Sequence, residues 1–245
     1  MRPQPWWAAP LALVVPVAAI SGCESTQDRS AQLRKKGNTV LSQRTQTLIT
    51  HLNPDVKVLR TAALHDDNGS AAVVELRNNS HRALVNVPVA IDVRGPGGTS
   101  VFRNDATGIE PSLVGPAYLP PASQFVWVND QVSATGVPRS VVARVGVGHG
   151  APPRSVPSIQ VGAPHLETDP TSGVSAVGTV TDRSPVVQKK LVLYCVATRG
   201  GRIVAAGRGG IERLRPNKPT RYTIFFIGNP KGAHLSVAAP PTTFS

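Results

Sequence analysis

The chain has 245 residues, with 26 Lys and Arg against 14 Asp and Glu, for a formal net charge of +12. Aromatic residues make up 4 %, while Gly and Pro number 22 and 23, a profile that excludes long helices and favours many short strands joined by tight turns. Two cysteines exclude a disulfide framework. The charge favours an anionic partner, although a solvated surface rich in Arg gives the same balance.

The first segment carries Arg2 and no acid, then an apolar stretch from Trp6 to Ile20. That stretch is about 15 residues, short of the roughly 20 that span a membrane. Pro10 and Pro16 interrupt it, and Pro costs about 3 kcal/mol in a helix interior. It closes on Ile20-Ser21-Gly22-Cys23, and the polar run Glu24-Ser25-Thr26-Gln27-Asp28 follows at once. The four-residue string resembles the lipobox of bacterial lipoprotein signals, with Ile20 in place of the more usual leucine. The resemblance implies a signal peptide over residues 1–22, cleavage before Cys23, and a diacylglyceryl group on its sulfur. A mature protein of this kind is held on the extracytoplasmic face of the cell membrane by palmitate-type chains, and two chains anchor durably where one does not. An uncleaved anchor and a plain secretory signal are the alternatives.

Residues 23–54 form a polar tether. Leu33, Val40, Leu41, Leu48, Ile49 and Leu52 recur at loosely helical spacing, which predicts one short helix from about Leu41 to Leu52. Arg34-Lys35-Lys36 either lies against anionic headgroups or is a solvated part of the linker.

From residue 55 the texture changes. Strands are predicted at Val56–Leu59, Ala72–Arg77, Val85–Val93, Ser100–Phe102, Phe125–Val128 and Ser140–Val145, with turns at His65–Ser70, Asn78–His81 and Gly95–Gly98. Residues 149–158 read as a Pro/Gly linker between a first β-sandwich over 55–148 and a second over 159–243. The second repeats the signals, with strands at Val174–Val180, Leu191–Ala197, Arg202–Gly207, Arg221–Phe226 and Leu235–Ala238. Leu76 to Val89 and Val180 to Leu193 align without a gap, so that Asn78 matches Asp182 and Ser80 matches Ser184. The Gly-rich turns match too, as do Leu119-Pro120-Pro121 and Leu214-Arg215-Pro216. The expected fold class is therefore all-β: two tandem immunoglobulin-like sandwiches after a signal peptide and a partly helical tether.

Leu76-Arg77-Asn78-Asn79-Ser80 with Leu119-Pro120-Pro121, and Val180-Thr181-Asp182-Arg183-Ser184 with Leu214-Arg215-Pro216, resemble the FxLyD family of small immunoglobulin-like surface domains. The family's name-giving string is absent here. The whole chain also resembles uncharacterised actinobacterial lipoproteins ending near Ala239-Pro240-Pro241-Thr242-Thr243-Phe244. Neither resemblance implies a catalytic activity or a ligand.

Sites of chemistry are few. No Gly-x-Ser-x-Gly elbow and no phosphate loop occurs. The His residues at 51, 65, 81, 149, 165 and 234 show no metal-ligand spacing. Asp66, Asn68, Gly69 and Glu75 fit a calcium loop only in part, because Leu64 occupies its first ligand position; a hairpin turn is the simpler reading. Arg199-Gly200-Gly201 and Arg208-Gly209-Gly210 resemble nucleic-acid RGG boxes but flank a strand, which reads as turn glycines. Cys195, in an apolar run, reads as a buried thiol. Phe125 and Trp127 share a face and read as core, with an aromatic ligand patch as the rival. The long loop from Pro111 to Pro121 is the most promising binding surface.

These readings sum to a non-catalytic envelope protein with no cofactor and no metal. Its expected partners are the membrane through Cys23, an anionic lipid or wall polymer through its basic surface, and a protein, but not nucleic acid. A lipid or small-ligand carrier is the alternative, and a hydrolase assembled only in three dimensions is the third reading.

Overall fold

The computed structural model describes residues 49–244 apart from 107 and 172; Cys23, the signal and most of the tether lie outside them. The chain is all-β. In the first half the strands are β1 (Val56–Asp66), β2 (Gly69–Asn78), β3 (Leu84–Val85), β4 (Val89–Arg94), β5 (Ser100–Arg103), β6 (Tyr118–Leu119), β7 (Gln124–Asn129) and β8 (Ser140–Val145). In the second they are β9 (Ile159–Val161), β10 (His165–Asp169), β11 (Gly173–Asp182), β12 (Gln188–Arg199), β13 (Arg202–Leu214), β14 (Thr220–Phe225), β15 (Ile227–Gly228) and β16 (His234–Ala238).

Two strand orders recur. The first half pairs β1-β2-β7 in one sheet and β5-β4-β8 in another, with β3 and β6 as a short ladder. The second half pairs β10-β11-β14 and β15-β13-β12-β16, with β9 also on β11. Strand for strand, β2, β4, β5, β7 and β8 correspond to β11, β12, β13, β14 and β16, all antiparallel.

Local chemistry explains the strand ends. Asp67-Asn68 is a two-residue turn between β1 and β2, closed where the Asn68 amide donates to Asp66 Oδ1 at 2.8 Å and Gly69 takes φ +139°. Asn78 and Asp182 end β2 and β11 in the same way. The Oδ1 of each accepts both the amide and the hydroxyl of the serine two residues on, at 3.0 and 2.8 Å for Ser80 and at 2.8 and 2.6 Å for Ser184.

The two turns differ at one atom. Asn78 Nδ2 donates to the carbonyls of Arg82 and Pro120, at 2.8 and 2.9 Å. Asp182 presents Oδ2 at that place, fully buried and without a hydrogen-bond partner among the described residues. A buried polar atom left unpaired costs on the order of 1–3 kcal/mol. Asp182→Asn, which restores an amide donor, is expected to raise stability by about 1 kcal/mol. A urea midpoint that stays level or falls would show that the second turn has no carbonyl to meet that donor.

The two faces of the β1-β2-β7 sheet meet different neighbours. Thr61, paired with Val74, donates its hydroxyl to the Val141 carbonyl of β8 at 2.8 Å. Arg60, paired with Glu75 and so on the opposite face, donates to the Gly201 carbonyl in the β12–β13 turn at 2.6 Å. The sheet is buried on both sides: Ala72, Val73, Val74 and Leu76 are all fully buried.

The β15-β13-β12-β16 sheet is buried on both sides as well. Leu191, Leu193, Cys195, Ala197 and Ala205 pack with Ala176, Val180, Tyr222 and Ile224 of the second half. The intervening Val192, Tyr194 and Val196, with Ala206, join the core of the first half around Val73, Trp127 and Val128. The sheets thus stack as four layers, β5-β4-β8, β1-β2-β7, β15-β13-β12-β16 and β10-β11-β14, with the two sandwiches face to face.

Four expectations change. The single strand expected over Val85–Val93 is broken at 86–88, where Asn86 takes φ +46° and Pro88 has no amide to donate, so β3 ends at Val85 and β4 begins at Val89. Residues 49–52, the described end of the predicted helix, are not helical, and Leu52 instead bridges Gly146; the rest of that prediction lies outside the described residues. β13 does not stop at Gly207 but runs on to Leu214. Gly200 and Gly201 are turn glycines with φ +55° and +75°, but Arg208-Gly209-Gly210 lies inside the strand.

Candidate functional surface: the junction of the sandwiches

A set of polar side chains spans the junction. Arg208 of β13, its side chain only 7 % exposed, donates from Nε to Asp130 Oδ1 at 2.8 Å and from its backbone amide to Oδ2 at 2.9 Å. Its Nη1 donates to Ser112 Oγ at 2.8 Å, and Ser112 Oγ donates on to Glu110 at 2.7 Å. Trp127 Nε1 donates to the Ser112 carbonyl at 2.8 Å. Tyr194 of β12 sets its ring edge-on to Phe125, with centroids 5.3 Å apart.

The loop from Pro111 to Pro121 is therefore drawn into the junction. Its single turn Pro111–Leu113 supplies the carbonyl and the hydroxyl that Trp127 and Arg208 use, and Leu113, Gly115, Pro116, Tyr118 and Leu119 are buried. The position that reads as a free binding loop in sequence acts as packing here. Trp127 and Phe125 are core residues, 0 % and 7 % exposed.

Two further contacts close the junction. Asp66 Oδ2 accepts the Gly228 amide at 2.7 Å, joining the first hairpin to β15. At the chain's end, Gln188 is fully buried; its Oε1 accepts the amides of Thr242 and Thr243 at 3.0 and 3.1 Å, and its Nε2 donates to the Thr243 carbonyl at 3.1 Å. That grip sets the Phe244 ring 5.6 Å from Tyr118 of the first sandwich. Sequence reasoning missed Gln188 because its partners lie about 55 positions away.

Cys195 is fully exposed to none of this chemistry; it sits in the second core at 0 % exposure, and burial pushes its thiol up to about 12. Reactivity follows the thiolate. At pH 8, iodoacetamide is expected to label Cys195 at least about 100-fold more slowly in the native chain than in the urea-unfolded chain, as read by peptide mapping. Equal rates would contradict the buried position.

The histidines are scattered. His65 Nδ1 lies 2.9 Å from Ser70 Oγ, and His165 faces Glu167 at 3.2 Å. Among the described residues, no three of His, Cys, Asp and Glu come together to hold a metal, and no helix is long and apolar enough to cross a membrane. A half-open groove of about 340 Å³ lies at the foot of the first sandwich, lined by Asn53, Asp55, Arg82, Leu84, Val85 and Val147. That volume is at the lower end of the range for small-molecule pockets, roughly 300–1,000 Å³. No family model matches the chain, and no curated protein matches it.

Proposed function

We propose that this chain is a lipid-anchored protein of the bacterial cell envelope, held at Cys23 on the extracytoplasmic face of the membrane, with a non-catalytic interaction or structural role. The observation that carries the reading is the order of parts: a short apolar segment closing on Ile20-Ser21-Gly22-Cys23, a polar tether, and a body whose two sandwiches share a core. A body held rigid by that junction offers a partner one fixed surface and loses little freedom on binding. The partners that fit are the membrane through the lipid, an anionic lipid or wall polymer through the net positive charge, and a protein.

A carrier of lipid or small ligands is the weaker reading. The place between the sandwiches where such a protein would keep a cleft is filled by Val73, Val128, Val192, Tyr194 and Val196. The test is fractionation of bacterial cells producing the wild-type chain and Cys23→Ala. The wild type is expected in the membrane fraction, resistant to a high-salt wash and carrying label from a palmitate analogue, and the variant is expected without label. A wild-type chain without label, or a Cys23→Ala chain that carries it, would overturn the anchor.

A further inference from the structure

We infer that a basic patch at the tether end of the body seats on anionic lipid headgroups. The patch is built by strand register. Lys57 of β1 is paired with Arg77 of β2, both exposed. Cross-strand partners share a face, so these two cations lie side by side.

A β-bulge adds a third. Val58 faces Leu76 and Arg60 faces Glu75, which leaves Leu59 as the inserted residue. Without it, Arg60 would point to the side opposite Lys57; with it, Arg60, Lys57, Glu75 and Arg77 share one face. Arg60 then reaches across to the Gly201 carbonyl at 2.6 Å, which brings the β12–β13 turn against the same end. That turn carries Arg199 directly opposite Arg202, both exposed, and Arg199 Nη1 donates to the Lys231 carbonyl at 2.9 Å.

The patch lacks counter-charge. Lys57, Arg77, Arg199, Arg202 and Lys231 form no ion pair among the described residues. The acids beside them are engaged: Glu75 by Arg60 at 2.9 Å, and Asp55 facing Arg82 at 3.9 Å. Like charges set directly opposite are unfavourable, twice over in this one region, and an anionic surface reverses the sign of that term.

The position of the patch selects the membrane. The tether passes the end of β8, where Leu52 bridges Gly146, and runs into β1 at Val56, so the chain from Cys23 meets the body within five residues of Lys57. About 30 residues separate the two, a reach of at most roughly 100 Å when extended. A surface held within that reach is met at high effective concentration, so weak contacts suffice. Each basic side chain near an anionic surface strengthens binding about fivefold. This inference rests on the anchor reading, because it takes as its partner the membrane to which Cys23 would hold the chain.

The test uses the mature chain from residue 23 with Cys23→Ser, so that neither the apolar segment nor an acyl chain contributes. It is sedimented with vesicles of phosphatidylcholine alone or with one-third phosphatidylglycerol, at low and at physiological salt. Binding is expected only to the anionic vesicles and is expected to weaken with salt. In the same background, Lys57→Glu, Arg77→Glu and Arg202→Glu together should weaken binding on the order of 100-fold or more. The control is Lys189→Glu, Arg213→Glu and Lys218→Glu, equally exposed and equal in charge change; it contains the like-charged pair Lys189 and Arg213 at the opposite end of β12 from Arg199, so it isolates position, and it should keep most of the binding. Equal loss in both triples would make the effect one of net charge and overturn the patch. Failure of the Cys23→Ser chain to bind anionic vesicles would overturn it too, even if it bound a soluble polyanion. Absence of lipid on wild-type Cys23 is a separate result and overturns only the anchor.

Discussion

Asp130→Ala is expected to lower the unfolding free energy by about 3 kcal/mol. The substitution leaves Arg208 in place, with its guanidinium 7 % exposed and its backbone amide without an acceptor. Removing one partner of a buried ion pair costs roughly 3–5 kcal/mol, because the remaining charge stays out of water. Asp130 is itself 19 % exposed, so water re-enters in part and the lower end of that range applies. The loss falls on the junction, since Asp130 follows β7 of the first sandwich while Arg208 belongs to β13 of the second. Urea unfolding of Asp130→Ala measures the loss directly. The double variant Asp130→Ala with Arg208→Leu should recover part of it by removing the stranded charge. A double variant no more stable than the single one would mean that the pair contributes by packing alone.

Gly207→Ala is expected to cost about 3 kcal/mol or more, enough to move much of the protein into the insoluble fraction. A Cβ at Gly207 would lie 1.9 Å from the carbonyl oxygen of Phe225 and 3.0 Å from its carbon. Both are backbone atoms of β14, held in register with β11 from Ser175↔Phe225 to Val180↔Thr220. No flexible side chain can yield, so one strand must shift against the other. Gly210→Ala is the control in the same strand, because a Cβ there meets nothing within 4 Å. It should change stability by less than about 0.5 kcal/mol. Equal effects at the two positions would mean that β13 does not pass close to β14 as described.

The same glycines show where sequence reading reaches and where it stops. Gly200 and Gly201 stand between two apolar runs, and the turn chemistry is local, so their role was readable. Gly207 and Gly209 serve a close approach to Phe225 and Thr223, which lie in another strand of the fold. Nothing beside them in the chain records that approach.

Burial on both faces was written in the sequence but open to two readings. Leu191 to Ala197 and Ala71 to Val74 lack the alternation of a half-solvated strand. Such runs mark a strand covered on both sides; what covers the second side is not local information. The cover proved to be the other sandwich, through Tyr194, Val196 and Ala206. The clamp on which that packing turns, Arg208 with Asp130, joins residues 78 positions apart.

The internal repeat was readable because its turns are local. Asn78 with Ser80 and Asp182 with Ser184 make the same closure two residues apart, and the aligned positions hold equivalent places at the ends of β2 and β11. The unpartnered Asp182 Oδ2 was not readable, since Asn and Asp are equally good turn residues and differ only in what their second polar atom meets.

The most direct measurement of the central claim is the intact mass of the mature protein extracted from bacterial membranes. The mass expected is that of a polypeptide that starts at Cys23, heavier than its bare chain by a diacylglyceryl group at the first residue, with or without a further acyl chain. A chain that keeps residues 1–22, or one cut elsewhere with an unmodified Cys23, would contradict it.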